Sequence, residues 1–556
     1  MTPRNHILTS CLAFLISCQP GQKPVPEVKE ANLQMPFEMP EVQVPSFNAD
    51  TFNLLDFGGV ADGRVINTEA FSKAITACSQ SGGGVVLVPQ GIWLTGPIVL
   101  KSHVNLHLKN GALVRFSGNI EDYPLVESYY EGLKAIRCQS PVSGHDLEDI
   151  AITGQGIIDG NGGYWRQVKR EKLTTAQWND LVASGGVIVG DNRWYPSEQS
   201  KEGNELAAKN GLPIVQTLEN MVPYKHYLRP VMIGLVGCRK VLLEGVTFQN
   251  SPAWNVHPLM CEHLTLSNLT IRNPWYSQNG DGLDLESCRI GTITNCSFDV
   301  GDDAICIKSG KDAEGRERGK PTELFVISDC VVYHGHGGFV VGSEMSGGIR
   351  NLFVSNCTFI GTDCGLRFKS LRGRGGVVEH IYMENIRMID IPTEAIRFNL
   401  FYASKSPSED PLTGDLEIEE MPVNEKTPAF RNMYFKNILC DGAEKALMIQ
   451  GLPEMPVENM TFENMQIKAK TGISLNYAEG IAFKDLSLFA DKGNLVSLVN
   501  SRQVSFDGLT FGGPGKAFRI GGSQTRDIQI GSTMPSIALS DIEYPENLKD
   551  QIKRME

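Results

Sequence analysis

Positive charge is what this 556-residue chain is short of: 51 Lys and Arg stand against 64 Asp and Glu, a formal net charge of -13 at pH 7. A general polyanion binder needs clustered cations, so nucleic acid is excluded as a partner, and the same arithmetic stands at first against an acidic polysaccharide. No CxxC pair or His/Cys cluster has zinc spacing and no stretch resembles an EF-hand loop, so neither a metal nor a cofactor is expected. A complete disulfide framework is missing too, because removing Cys11 and Cys18 from the 13 cysteines leaves an odd number. Helical heptads are absent. The N-terminal apolar run, residues 7–16, is far too short to cross a bilayer.

That run has the length of a signal-peptide h-region and ends in Leu15-Ile16-Ser17-Cys18. The ending resembles the lipobox of bacterial lipoproteins. Residues 1–17 are therefore expected as a signal peptide, with a lipid on Cys18 as the only membrane attachment and the periplasm or cell surface of a bacterium as the location. A plain secretory signal with a chance cysteine is the alternative. Residues 18–48, rich in Pro, Glu and Gln, are expected as a flexible tether.

What is present is a repeat. A unit of Asn or Asp followed by alternating apolar residues begins at Asn268, Asn295, Asp329, Asn356, Asn385, Asn437, Asn464, Asp485 and Asp507, at gaps of 27, 34, 27, 29, 52, 27, 21 and 22 residues. The gap of 52 is two periods, or one carrying an insertion. Short β-branched or aromatic runs at period two, bounded by Gly, Asn and Asp, predict strands joined by turns. A unit this short cannot bury its apolar edge alone, so successive units stack into a parallel β-helix, an all-β solenoid spanning 49–540 with a tail at 541–556. The recurrent cysteines, as in Asn295-Cys296-Ser297-Phe298 and Asn356-Cys357-Thr358-Phe359, then belong to the core. Asn67 to Cys78 is amphipathic and predicts a capping helix at the N-terminal end. The repeat breaks between about 160 and 230, where Trp165, Trp178 and Trp194 and the capping-box spacing of Thr174 and Gln177 predict a long insertion with short helices. A monomer is expected.

Between Asn279 and Lys369 the polar residues become specific. Asn279-Gly280-Asp281-Gly282-Leu283-Asp284, Gly301-Asp302-Asp303, Gly335-His336-Gly337 and Arg367-Phe368-Lys369 follow one another, with Asp281, Asp302, His336 and Arg367 at steps of 21, 34 and 31 residues, which are coil lengths with varying loops. Stacked coils put them on one face over about 14 Å. Each motif alone also fits a solvated turn or strand edge. Three carboxylates, an imidazole and two cations on consecutive coils are harder to explain so, since like charges on adjacent rungs repel.

The ordered set resembles the polygalacturonase family of glycoside hydrolases, with patterns Asn-Thr-Asp, Gly-Asp-Asp, Gly-His-Gly and Arg-Ile-Lys; Gly280 and Phe368 depart from it. Further likeness runs through Leu55-Asp56-Phe57-Gly58, Asn250-Ser251-Pro252-Ala253-Trp254 and Gly342-Ser343-Glu344. The resemblance implies a right-handed parallel β-helix that hydrolyses galacturonic acid linkages in pectin with inversion, which needs one carboxyl to protonate the leaving oxygen and another to activate water. It implies Asp302 as the acid, Asp281 and Asp303 as the groups that position and deprotonate water, and His336 as a holder of the acid or of a sugar hydroxyl. Arg367 and Lys369 would grip the galacturonate carboxylate, with Asn279 and Trp254 as further substrate contacts and Asp284 in turn structure or support. Rhamnogalacturonan-cleaving relatives tend to lack the histidine and the Arg/Lys pair. Exo action is expected because the insertion can wall off one end of the cleft, with Tyr224, His226, Tyr227 and Arg229 as candidate wall residues. An endo-acting or rhamnogalacturonan-type hydrolase, a calcium-dependent lyase and a non-catalytic glycan-binding solenoid are the alternatives.

The charge then reads differently. Arg367, Lys369, Arg372 and Arg374 crowd one coil, and no Asp or Glu lies between Cys364 and Val378. Net charge governs solubility and steering, while recognition depends on the local field. The expectation narrows to a short basic cleft in an acidic molecule.

Overall fold

Each repeat presents its apolar side chains along one edge, and the surface of matching period is the neighbouring repeat. The computed structural model describes residues 36–402, 404, 412 and 418–554; the expected signal peptide, Cys18 and the tether up to residue 35 lie outside them. Within these residues, 38 strands join one continuous sheet whose pairings between coils are parallel. A typical coil has three strands, Arg289–Thr294, Ser297–Asp299 and Asp303–Lys308, and the next coil repeats them as Thr322–Ser328, Val331–His334 and Gly337–Val341. Thr292 pairs with Val326, Phe298 with Val332 and Cys306 with Val340, so every strand lies on its own counterpart. This is the expected right-handed parallel β-helix. Farther along, the three strands run together as Val377–Asn399 and Ala429–Gln450.

The interior is a set of like-on-like ladders. Phe435, Phe462, Phe483 and Phe506 stack with centroids 4.8, 5.0 and 4.7 Å apart, one ring per coil. Phe368 stacks on Phe398 at 4.3 Å, so this departure from the family pattern is an inward residue that joins an aromatic stack. The eleven described cysteines are free and buried, and the recurrent Cys296, Cys330 and Cys357 lie in the core, as expected.

The repeating Asn and Asp mark one turn. Asn268, Asn295, Asp329, Asn356, Asn385, Asn437, Asn464 and Asp485 all have φ between +52° and +57°, a left-handed conformation that Asn and Asp tolerate better than most residues. Their side chains bond from coil to coil: Asn385 donates to Asn356 at 3.1 Å, Asn437 to Asn385 at 2.9 Å and Asn464 to Asn437 at 2.7 Å. The bond from Asn437 to Asn385 makes them neighbours, so the gap of 52 is one coil carrying an insertion.

Helix α1, Thr68–Gln80, covers the N-terminal end with Phe71, Ala74, Ile75 and Cys78 buried, as expected. The segment 541–554, expected as a tail, adds further strands: Ile542–Glu543 pairs with Phe518–Gly521 and Ile552–Arg554 with Arg526–Ile530. The stretch 37–48, expected as tether, packs on the solenoid, with Phe37 6.2 Å from the Tyr382 ring and the Gln43 N–H donating to His263 Nδ1 at 3.2 Å.

The turn between the second and third strands, hereafter the second turn, carries the elaborations. It gives rise to an antiparallel hairpin, Leu125–Tyr130 with Leu133–Cys138, and in the next coil to the 160–230 insertion. The insertion contains helices α2 (Thr175–Ala183) and α3 (Glu198–Asn210) and a small antiparallel sheet of Val168–Lys169, Arg193–Tyr195 and Val187–Val189. Thr174 and Gln177 form the expected capping box, and Trp165, Trp178 and Trp194 are buried.

Replacing Asn437 by Ala removes two ladder bonds and the tolerance for positive φ and is expected to cost about 2 kcal/mol, while Asn437→Gly, which keeps the backbone conformation, costs about half as much. Chemical denaturation of the two variants checks this. Equal losses would show that the backbone conformation contributes nothing.

Candidate active site

Successive second turns place Asp281, Asp302, His336 and Asp363 on neighbouring coils, with Asp303 opening its third strand. The Gly282 N–H donates to the Asp303 carbonyl at 2.9 Å, and the His336 N–H to the Asp302 carbonyl at 2.9 Å. The expected convergence of Asp281, Asp302, Asp303, His336, Arg367 and Lys369 is therefore observed. Gly280 also has a cause. Ser277, whose hydroxyl donates to the Pro274 carbonyl at 2.6 Å, occupies the space that a Cβ at 280 would enter.

The three carboxylates sit in different surroundings. Asp302 is partly exposed and accepts from the Asn279 N–H at 3.2 Å and the Asp303 N–H at 3.0 Å, with His336 Nδ1 at 3.1 Å. Asp303 is buried; Lys369 Nζ donates to its Oδ2 at 2.6 Å and Arg367 Nη1 to its Oδ1 at 3.2 Å. Asp281 is 4% exposed, and its Oδ1 is buried with no hydrogen-bond partner. Gly337 shares the register of Asp303 on the coil between, and a Cβ there would overlap Val340 and touch Arg367.

These surroundings separate the proton affinities. Burial, then the carboxylates of Asp302, Asp284 and Asp303, push Asp281 well above the usual carboxylate range. Burial would raise Asp303 as well, but Lys369, Arg367 and Lys308 outweigh it and hold that carboxyl below its ordinary value. The hydrogen bond to Asp302, opposed by burial, raises the His336 imidazole. Asp303 is therefore held toward its ionised form and Asp281 toward its protonated one.

Two expectations change. Trp254 is 2% exposed, stacked on Tyr130 at 5.2 Å with Lys308 Nζ 4.9 Å from its ring, so it is a wall beneath the site and cannot offer a sugar its face. Arg367 and Lys369, expected on a sugar carboxylate, both donate to Asp303, and Lys369 is buried there. Asn279 lies beside Asp302, its Oδ1 held at 2.9 Å by Arg229 Nη2. Of the other wall candidates, Tyr224 packs into the insertion's core with Tyr227 against it, and His226 lies 3.5 Å from Glu121.

Sequence reasoning missed the support behind the carboxylates. Lys308 is 3% exposed, 2.8 Å from Glu344 and 3.6 Å from Asp284. Burial would raise Glu344, yet Lys308 brings it down to about 2. Period-two alternation after Cys306 points Lys308 outward, a signal available in the sequence. Lys172 was not foreseeable. It arrives from the insertion with Nζ 3.4 Å from His336 Nε2, and its carbonyl accepts from Trp275 Nε1 at 2.9 Å. Asp281, Asp303 and Cys306 offer ligand atoms within 4.8 Å of one another, but Lys369 and Arg367 already neutralise Asp303, and a cation there would have to displace them.

A family profile described as Glycosyl hydrolases family 28 matches residues 222–482, which hold Asp281, Asp302, Asp303, His336, Arg367 and Lys369. The sequence is 29% identical to a probable polygalacturonase of Vitis vinifera over 437 residues, 77% of this chain and 76% of that protein. It is 28% identical to an exo-poly-alpha-D-galacturonosidase of Dickeya chrysanthemi over 451 residues, 78% of this chain and 70% of that one. The structure is similar to that of a hyperthermoactive exopolygalacturonase from Thermotoga maritima, with a TM-score of 0.67 and 33% identity over 80% of this chain and 93% of the other.

The shifts have opposite signs with pH. His336 is raised, so its pairing stabilises fully below the ordinary imidazole value of about 6.5 and is lost as pH rises through the folded value. Asp303 is lowered, so its pairing stabilises above about 3.9 and is lost as pH falls toward the folded value. Lys369→Met is expected to cut hydrolysis about 100-fold and to move the acid limb of the pH–rate profile up by about one unit or more. An unmoved acid limb would show that Lys369 does not hold Asp303 ionised.

Proposed function

The chain belongs to glycosyl hydrolase family 28 and is a polygalacturonase, and from that premise we propose that it cleaves α-galacturonosyl linkages at the ends of pectic chains, releasing galacturonic acid with inversion. Asp302, at the opening and in contact with His336, protonates the leaving oxygen. Asp303, held ionised by Lys369 and Arg367, takes the proton of the attacking water. Asp281, held toward its protonated form, positions that water. The division differs from the one implied by resemblance, in which Asp281 and Asp303 shared the base role. Arg367, the more exposed of the two cations, is the contact for a sugar carboxylate.

The observation that carries exo action is Lys172. The insertion springs from a second turn on the N-terminal side of the catalytic coils and returns a cation to within 3.4 Å of His336. Trp275 and Arg229 tie the segment down through the Lys172 carbonyl and Asn279. A lip anchored this way closes the line of second turns at one end, and an ammonium on the lip suits the carboxylate of a terminal galacturonate. We also propose export with a lipid on Cys18, supported by the apolar run at 7–16 and the residues that follow it.

Asp302→Asn is expected to abolish release of reducing ends from polygalacturonate with an unchanged melting temperature. Wild-type enzyme yields monomer from the first minutes, whereas a ladder of oligomers would mean endo action. Lys172→Met is expected to raise KM about 10-fold, the loss of one charge-assisted contact, and an unchanged KM would remove Lys172 from substrate binding. Cys18→Ser is expected to move the protein from the membrane to the soluble fraction, and unaltered partition would exclude the lipid anchor.

A further inference from the structure

The line of second turns does not stop at the catalytic coils. Asp363 Oδ2 lies 3.9 Å from His336 Nε2, and the Thr393 N–H donates to the Asp363 carbonyl at 2.9 Å. The pairings Phe398 with Ile449, Ile449 with Leu475 and Leu475 with Leu498 make Glu444, Lys470 and Asp491 the next three second-turn positions. At about 4.8 Å per coil these turns extend from about 19 to about 29 Å beyond Asp302, on the side away from the insertion. There a groove opens around a cavity of about 530 Å³, lined by the second turns and the ends of the second strands.

Its chemistry differs from that of the catalytic cleft. Phe489 is 45% exposed on the wall, and its partner on the following coil is Gly512, whose missing side chain leaves the ring uncovered on that side. Around it the charges cancel in exposed pairs: Lys470 to Glu444 at 2.7 Å, Lys492 to Glu444 at 3.2 Å and Lys468 to Asp441 at 3.4 Å. Asp390 and Asp491 add two carboxylates to the lining. A uronate meets no surplus cation here, in contrast to Arg367 and Lys369. An uncharged pyranose meets what it needs, namely carboxylate acceptors, ammonium donors and an open aromatic face for its C–H side.

We propose that this groove is a distal subsite that holds the trailing part of the bound polysaccharide where its carboxyls are methyl-esterified. The identity of the chain rests on the pectic reading above; the preference for an uncharged stretch rests on the groove alone. The enzyme then trims a free-acid end while anchored on an esterified region of the same molecule.

The test compares KM of wild type, Phe489→Ala and Phe489→Tyr on long galacturonan with an unesterified end and an esterified interior, on the fully de-esterified polymer and on trigalacturonate. Phe489→Ala is expected to raise KM on the esterified polymer about five-fold with kcat unchanged, the worth of one aromatic contact, and to leave the trimer unaffected, while Phe489→Tyr behaves as wild type. Equal KM on the esterified polymer for wild type and Phe489→Ala would overturn the proposal, as would an equal rise on the trimer or a larger rise on the de-esterified polymer. Competition by a neutral galactan would assign the groove to a separate branch and overturn the trailing-chain reading. Absence of hydrolysis of every galacturonan by wild type would instead defeat the functional reading.

Discussion

Parallel backbone pairing between successive coils sets a spacing of about 4.8 Å along the molecule, and nearly everything else follows from that step. It is close to the stacking distance of phenyl rings, so Phe462 and Phe483 sit face to face 5.0 Å apart. It also lets an asparagine amide on one coil reach the next, so the turn residue that tolerates positive φ bonds its own copies. A coil contributes to the solenoid through its two neighbours, which is why loops of any length leave from its turns without disturbing the interior.

The same step brings Asp281 and Asp303 onto adjacent coils, an arrangement that mutual repulsion would oppose without compensation. Lys369 and Arg367 reach Asp303 from two coils away, across Gly337, and neutralise it. Asp281 has no comparable cation and is held toward its protonated form. Two like groups thereby acquire unlike proton affinities, which lets one position water while the other deprotonates it. Lys308 and Glu344 form the buried floor behind them.

Polarity along the molecule comes from where the elaborations sit. Hairpin and insertion leave the second turns on the N-terminal side of the catalytic coils, and the second turns on the C-terminal side stay short. The proposed exo action rests on this asymmetry, with Lys172 held beside His336 on one side and unelaborated second turns on the other. The net charge of -13 is compatible with this because the cations at the site are few and local.

The solenoid was legible from the repeat, because a strand–turn unit too short to bury itself has to stack, and the Asn and Asp at its start mark the turn that needs a left-handed residue. Residue types and their order likewise identified Asp281, Asp302, Asp303, His336, Arg367 and Lys369 as one group. What the sequence could not contain was the third dimension of that group. That Trp254 lies under the floor, that Lys369 serves Asp303, and that Lys172 arrives from more than a hundred residues upstream depend on side-chain burial and on how an irregular insertion folds back, neither of which has a period. Local pattern determined the fold and membership of the site, since both follow from repetition at coil spacing; tertiary packing alone decided which carboxylate the cations neutralise and where the insertion's lysine lands, since both depend on contacts between segments with no sequence relation.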